Sequence, residues 1–254
     1  MKKMIAAALC ILMLFSLIAC GENADTPSGS NTTDPGTSQT DDSGAENPGN
    51  DKAWYETGFR IGFVQTQCRT EAQGGDGKLY THTGVIYSDG KDILLHGESL
   101  SSYAQEVYDE LYAWDGSKVV FTKKSTSVTA DVTSITGPKP YNGFTVGEYF
   151  FEKTRFGAHI NDGDALDADY KLRNFTKTSE KETICGRSCT VYELKTHIAL
   201  TEEQVLIRKW VDDELGIVLK TYDDFQNGAE GHILFEVTSI ELTATTLPEV
   251  SFEK

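Results

Sequence analysis

Apolar and polar residues follow one another along this chain in three different ways. In the first 19 positions only Lys2, Lys3 and Ser16 are not apolar, and the run from Ile5 to Phe15 is uninterrupted. From Gly21 to Asp51 the side chains are small or polar, with Ala24 and Ala45 the largest apolar groups apart from proline. From Trp54 onward the apolar residues recur with a period near two, which marks strands that bury one face.

The C-terminal third is the clearest. Thr190–Lys195, Val205–Val211, Ile217–Tyr222 and Ile233–Thr238 read as four strands, with turns at Asp212–Gly216 and Gln226–Gly228. Connections this short make neighbouring strands antiparallel. Residues 58–68, 78–88, 92–96, 118–123 and 129–135 read as further strands, bounded by glycine turns such as Asp89-Gly90 and Asp115-Gly116. Two stretches have helical spacing. Leu100, Ala104, Val107, Tyr108 and Leu111 fall on one helical face, although Leu111–Trp114 suits a strand equally, and Phe144–Phe156 reads as a short amphipathic helix. The expectation is a single, mainly β (α+β) domain over residues 52–254, with one or two helices.

The first segment has a short basic start, a short apolar core and a small residue before the break, as a secretory signal does. Its apolar part is shorter than the roughly 20 residues a helix needs to cross a bilayer. Leu17-Ile18-Ala19-Cys20 resembles the lipobox of bacterial lipoproteins. That resemblance implies cleavage after residue 19, lipid attachment at Cys20, and an extracytoplasmic protein anchored in a bacterial cell membrane by its acyl chains. An ordinary cleaved signal and an uncleaved anchor are the alternatives. Residues 20–51 would then be a lipidated cysteine and a disordered tether, since nothing in them can offset ordering entropy. A flexible chain of that length spans roughly 30 Å root-mean-square.

Charge divides the same way. The chain has 23 Lys+Arg against 39 Asp+Glu, a formal net charge of -16. Seven acids and no base lie in residues 21–51, so the acidity belongs partly to the tether. An acidic chain has no basic face for phosphate contacts, which excludes a nucleic-acid partner held that way.

Gly186-Arg187-Ser188-Cys189-Thr190-Val191-Tyr192, then Lys209-Trp210-Val211-Asp212, Gly216 and Lys220, form a pattern of glycine turn, buried cysteine and tyrosine, and a Trp-x-Asp strand end. It resembles the superfamily of the Lol-type lipoprotein carriers and related lipid-binding lipoproteins. The resemblance covers residues 183–242 at motif level. It implies an open antiparallel half-barrel of about 8–11 strands, with covering helices over a concave side that can hold acyl chains. It brings no catalytic residue.

No other motif points to an enzyme. His82, His96, His159, His197 and His232 are scattered without the spacing of a zinc site, and chance core or surface positions explain them better. The acidic run from Asn161 to Asp169 lacks the order of an EF-hand, so a solvated loop is the better reading than a Ca²⁺ site. No metal or cofactor is expected. Cys68, Cys185 and Cys189 leave open either a disulfide between two of them or three thiols. On a half-barrel, Tyr192, Trp210, Leu219 and Phe235 are candidate groove residues, chosen by strand position; ordinary core packing is the competing role. The leading expectation is a non-enzymatic, lipid-anchored envelope protein that binds an apolar small molecule or lipid, or acts as sensor or scaffold. A structure with the concave face filled solidly by side chains would sink the ligand-binding form of this expectation. The alternatives are a protein-interaction or adhesion module and an unrecognised extracellular hydrolase.

Overall fold

The computed structural model describes residues 54–68, 79–101, 104–161, 171–197, 204–225, 232–243 and 245–253. Six strands come first: β1 (Phe59–Cys68), β2 (Leu79–Ser88), β3 (Ile93–Leu100), β4 (Gln105–Trp114), β5 (Val119–Ser127) and β6 (Val132–Tyr141). Two helices follow, α1 (Val146–Lys153) and α2 (Arg155–Asn161). The chain then forms β7 (Thr176–Ile184), β8 (Arg187–His197), β9 (Gln204–Asp212), β10 (Val218–Phe225) and β11 (His232–Glu241).

All eleven strands join one antiparallel sheet in the order β6-β5-β4-β3-β2-β1-β11-β10-β9-β8-β7. The first six strands meander outward, the helices cross back, and the last five meander inward until β11 pairs with β1. The two edges, β6 and β7, remain apart, so the sheet is open. The expected open half-barrel class is present, with a strand number within the expected 8–11 and a helical cover of two short helices.

One expected helix is a strand pair. Leu100 ends β3 and Val107–Leu111 lie within β4. Leu100, Ala104 and Tyr108 are four apart, and so are Val107 and Leu111. A spacing of four is even, so Val107 and Leu111 also share one face of β4, while Leu100 and Tyr108 fall in neighbouring strands. Pairing with β3 and β5 on both sides decides between the two readings. Strand β7 left no sequence signal because it is an edge strand with eight consecutive residues exposed or half-exposed. It is held through its pairing with β8.

The helices form for local reasons. Thr145 caps α1 with a reciprocal capping box: its hydroxyl accepts from the Glu148 amide at 3.3 Å, and the Glu148 carboxylate accepts from its amide at 2.7 Å. Thr154 ends α1 and starts α2, donating its hydroxyl to the Phe150 carbonyl at 2.6 Å. At the corner only glycine fits, since a Cβ on Gly157 would lie 2.0 Å from the Phe150 oxygen.

The helices bury Phe150, Phe151, Phe156 and Ile160 against Phe59, Ile61 and Phe63 of β1, Ile86 of β2, and Ile93 and Leu95 of β3. This face of the sheet is called concave below. Gly84 and Gly97 lie side by side in register on it. A Cβ on either would collide with the ring of Phe63 or Tyr108 respectively. These two rings therefore lie flat over glycine, and Phe156 packs against both, at 4.7 and 6.5 Å between centroids.

Candidate functional site

The concave face changes character along the strands. At the end where β1 begins, the near end, the register rows are mainly apolar over β1–β3: Phe121, Tyr112, Ile93, Ser88 and Phe59, then Leu95, Ile86 and Ile61, the second row running on into the Glu110–Lys123 ion pair of β4 and β5. Three or four residues along, at the far end, one row reads Glu106, Ser99, His82, Gln65, Phe235, Thr221, Lys209 and Tyr192 from β4 to β8. Gln65, Thr221 and Lys209 in that row are buried.

Helix α2 reaches this row with His159. Its ring stacks on Phe235 at 5.3 Å, nearly parallel, and its Nε2 meets Nε2 of Gln65. Burial, reinforced by the positive charges of Arg155 and Lys209, pushes the imidazole down to about 3. The ring is therefore neutral, and in the tautomer protonated at Nδ1 its Nε2 accepts the Gln65 amide proton. With that assignment Gln65 Oε1 is left as an acceptor. Gln65 is 1% exposed, and Oε1 finds no donor among the described residues. The Tyr108 hydroxyl, on a residue 4% exposed, is likewise without a partner among them. Burial raises the Tyr108 pKa, with Glu110 adding to the rise, so the hydroxyl keeps its proton.

Lys209 lies beside them with its ammonium 4.6 Å from the centre of the Phe175 ring. Burial lowers its pKa to about 7. No group of three or more metal-ligating side chains occurs among the described residues. The acidic run after Asn161 lies outside the described residues, as does the side chain of His232.

The far end carries a second feature. Among the described residues, Leu100, Val128, Val132 and Ile233 are the exposed large hydrophobic ones, and each sits at the Cys68 end of the sheet. At the near end, a cleft of about 380 Å³ lies between the 3-10 turn Trp54–Thr57, the Ser88–Lys91 turn, Trp114 and the start of α1.

The four candidate groove residues do not share one surface. Tyr192 and Phe235 belong to the far-end row of the concave face, Phe235 wholly buried beneath His159. Trp210 follows Lys209 in β9 and so points to the opposite side, where it donates its indole N–H to Glu182 at 2.6 Å and packs under Lys220 at 4.6 Å. Leu219 is buried at a strand irregularity of β10. Cys185 and Cys189 are thiols, not a bridge across their turn. Cys185 takes a positive φ of 52° and aims its sulfur at the Val237 carbonyl, 3.2 Å away, while Cys189 faces the Arg187 carbonyl. The side chain of Cys68 lies outside the described residues, as does Cys20.

Spacing gave no hint of Gln65, His82, Tyr108 and His159 as a group. Their one sequence trace is that a polar Gln65 interrupts the alternating apolar side of β1 after Phe59, Ile61 and Phe63.

Fold and site together define an open antiparallel half-barrel with a helical cover and a buried polar seam at one end. The chain matches no known protein-family profile and no curated protein. Among solved structures it is similar to a DUF1329 family protein from Desulfovibrio piger ATCC 29098, at 11% identity and a TM-score of 0.23, with 68% of each chain covered.

Proposed function

We propose that this chain is a non-enzymatic, lipid-anchored extracytoplasmic protein that takes the apolar part of an amphipathic ligand by exchange with α1 and α2. A ready-made groove is not the mechanism, because Phe150, Phe151, Phe156 and Ile160 already occupy the apolar half of the concave face. Exchange is energetically reasonable. Returning four such side chains to water costs about 6–12 kcal/mol at 1.5–3 kcal/mol each, and burying an acyl chain of about 16 carbons gains about 12 kcal/mol. The two terms are of one size, which makes binding reversible.

The observation that carries this reading is the coincidence at the far end. The exposed apolar residues Leu100, Val128, Val132 and Ile233 gather where the concave face turns from apolar to polar. Exposed apolar residues along one end of a sheet are a usual mark of a ligand or membrane contact. A tether of roughly 30 Å from Cys20 would match the height of a ten-residue strand, about 33 Å, so the far end could reach the membrane that holds the anchor.

Hydrogen exchange on the full chain in detergent micelles tests the mechanism. Adding a monoacyl lipid should raise exchange in residues 146–161 and leave β1, β2 and β11 protected. Lipid binding with unchanged helix protection, or no binding, would overturn it. Palmitate labelling of the wild type but not of Cys20→Ala tests the anchor, and equal labelling of both would remove it.

A further inference from the structure

We propose that the buried seam around Phe156 is the headgroup site of this ligand, and that it takes a neutral, hydroxyl-bearing group rather than a carboxylate or a phosphate. The inference rests on the ligand-binding reading above and names the chemistry of the ligand's polar end.

Two polar atoms there are deeply buried and have no partner among the described residues: Gln65 Oε1 and the Tyr108 hydroxyl. Native proteins pair such groups with protein, water or ligand. Gln65 pairs directly across the sheet with His82, whose ring packs edge-on to Phe156 at 5.9 Å. The Tyr108 ring lies parallel to the same Phe156. Phe156 of α2 therefore packs against both Tyr108 and His82, the cross-strand partner of Gln65, and its departure would open space beside them. The apolar half of the concave face continues from this point toward the near end, where a tail would follow.

The orientation of the amide decides the ligand's chemistry. With one Nε2 proton given to His159, the Gln65 atom left without a partner among the described residues is its acceptor, Oε1. It needs a donor, which an ionised carboxylate lacks and a hydroxyl supplies. Tyr108 stays protonated and can donate to the oxygen of the same class of group. The surrounding charges select for neither ion. Arg155 and Lys209 act on His159, while Glu110, Arg155 and Glu106 all act on Tyr108, so the two signs are mixed around the seam.

Native mass spectrometry of the full chain released from micelles distinguishes the outcomes, with monooleoylglycerol, oleate and methyl oleate offered at equal concentration. Monooleoylglycerol should be retained in preference to both others. Tyr108→Phe and, separately, Gln65→Leu should each weaken its retention about tenfold while leaving methyl oleate unchanged. Tyr108→Phe removes only the unpartnered oxygen, so it should fold at least as stably as the wild type and remains informative if Gln65→Leu does not fold. Equal retention of methyl oleate and monooleoylglycerol by the wild type would overturn the headgroup site while leaving helix exchange intact. Preference for oleate would overturn the neutral specificity. Retention of none of the three would remove the ligand-binding reading itself.

Discussion

Asp212 concentrates several interactions on one buried carboxylate. It is 2% exposed, forms a two-point pair with Arg187, and accepts from the amides of Glu214 at 2.9 Å and Leu215 at 2.7 Å. It thus closes the β9–β10 turn and ties it to the start of β8. Next to it, Asp213 collects Lys181, Ser188 and Thr190, which hold its carboxyl well below the usual range. The Trp-x-Asp strand end and the glycine turn that sequence singled out are accounted for by this architecture. Asp212→Ala should destabilise by about 3–5 kcal/mol in urea unfolding, because Arg187 loses its buried partner and two amides lose their acceptor. Asp212→Asn keeps the turn acceptor and should recover part of that loss.

At the scale of elements, the helical cover is the weak piece. Helices of eight and seven residues are too short to persist alone and depend on packing. Their attachment begins at the Thr145 capping box. Thr145→Ala should cost about 1 kcal/mol and raise amide exchange in α1 before it affects the strands. In the exchange mechanism the same substitution should also strengthen lipid binding, since it lowers the cost of displacing the cover. The fold at this scale was largely legible. Strands 190–195, 205–211 and 233–238 lie within β8, β9 and β11, and 217–222 falls in β10 from Val218 on, because half-buried strands alternate apolar and polar residues. The helix at 144–156 showed through its aromatic spacing. Strand β7 was invisible because an exposed edge needs no apolar alternation. The stretch at 100–111 was ambiguous because a spacing of four satisfies both periods.

Across the whole molecule, burial of basic groups makes stability depend on pH. His159 has a folded value of about 3, below the ordinary value of 6.5 that it regains on unfolding. Between these values the unfolded chain holds the proton and the folded chain does not. Stability therefore falls as pH drops from about 6.5 toward 3, by about 2 kcal/mol at pH 4.5. Lys209 works in the same sense at higher pH, so its burial weighs less against folding as pH rises from about 7 to 10.5. Urea unfolding of the wild type and His159→Asn at pH 7 and pH 4.5 isolates the first effect from the carboxylates. The wild type should lose more stability on acidification than the variant, and an equal loss would show that His159 is not protected from protonation.

Period, composition and turn residues by themselves determined an antiparallel β-rich domain with a helical insertion, because those signals are local. The sequence also carries the segment that resembles a lipobox and the acidic stretch after it, on which the expected address rests. Only tertiary structure decided that β11 closes on β1, that Trp210 turns away from Tyr192 and Phe235, and that helix side chains fill the concave face. Pairing register and bulges set those facts, and they depend on residues far apart in the chain. The buried seam is the extreme case. Gln65, Tyr108 and His159 come from three elements, and each reads alone as an ordinary polar residue. Their shared burial, with two atoms left without partners, exists only once β1, β4 and α2 have come together.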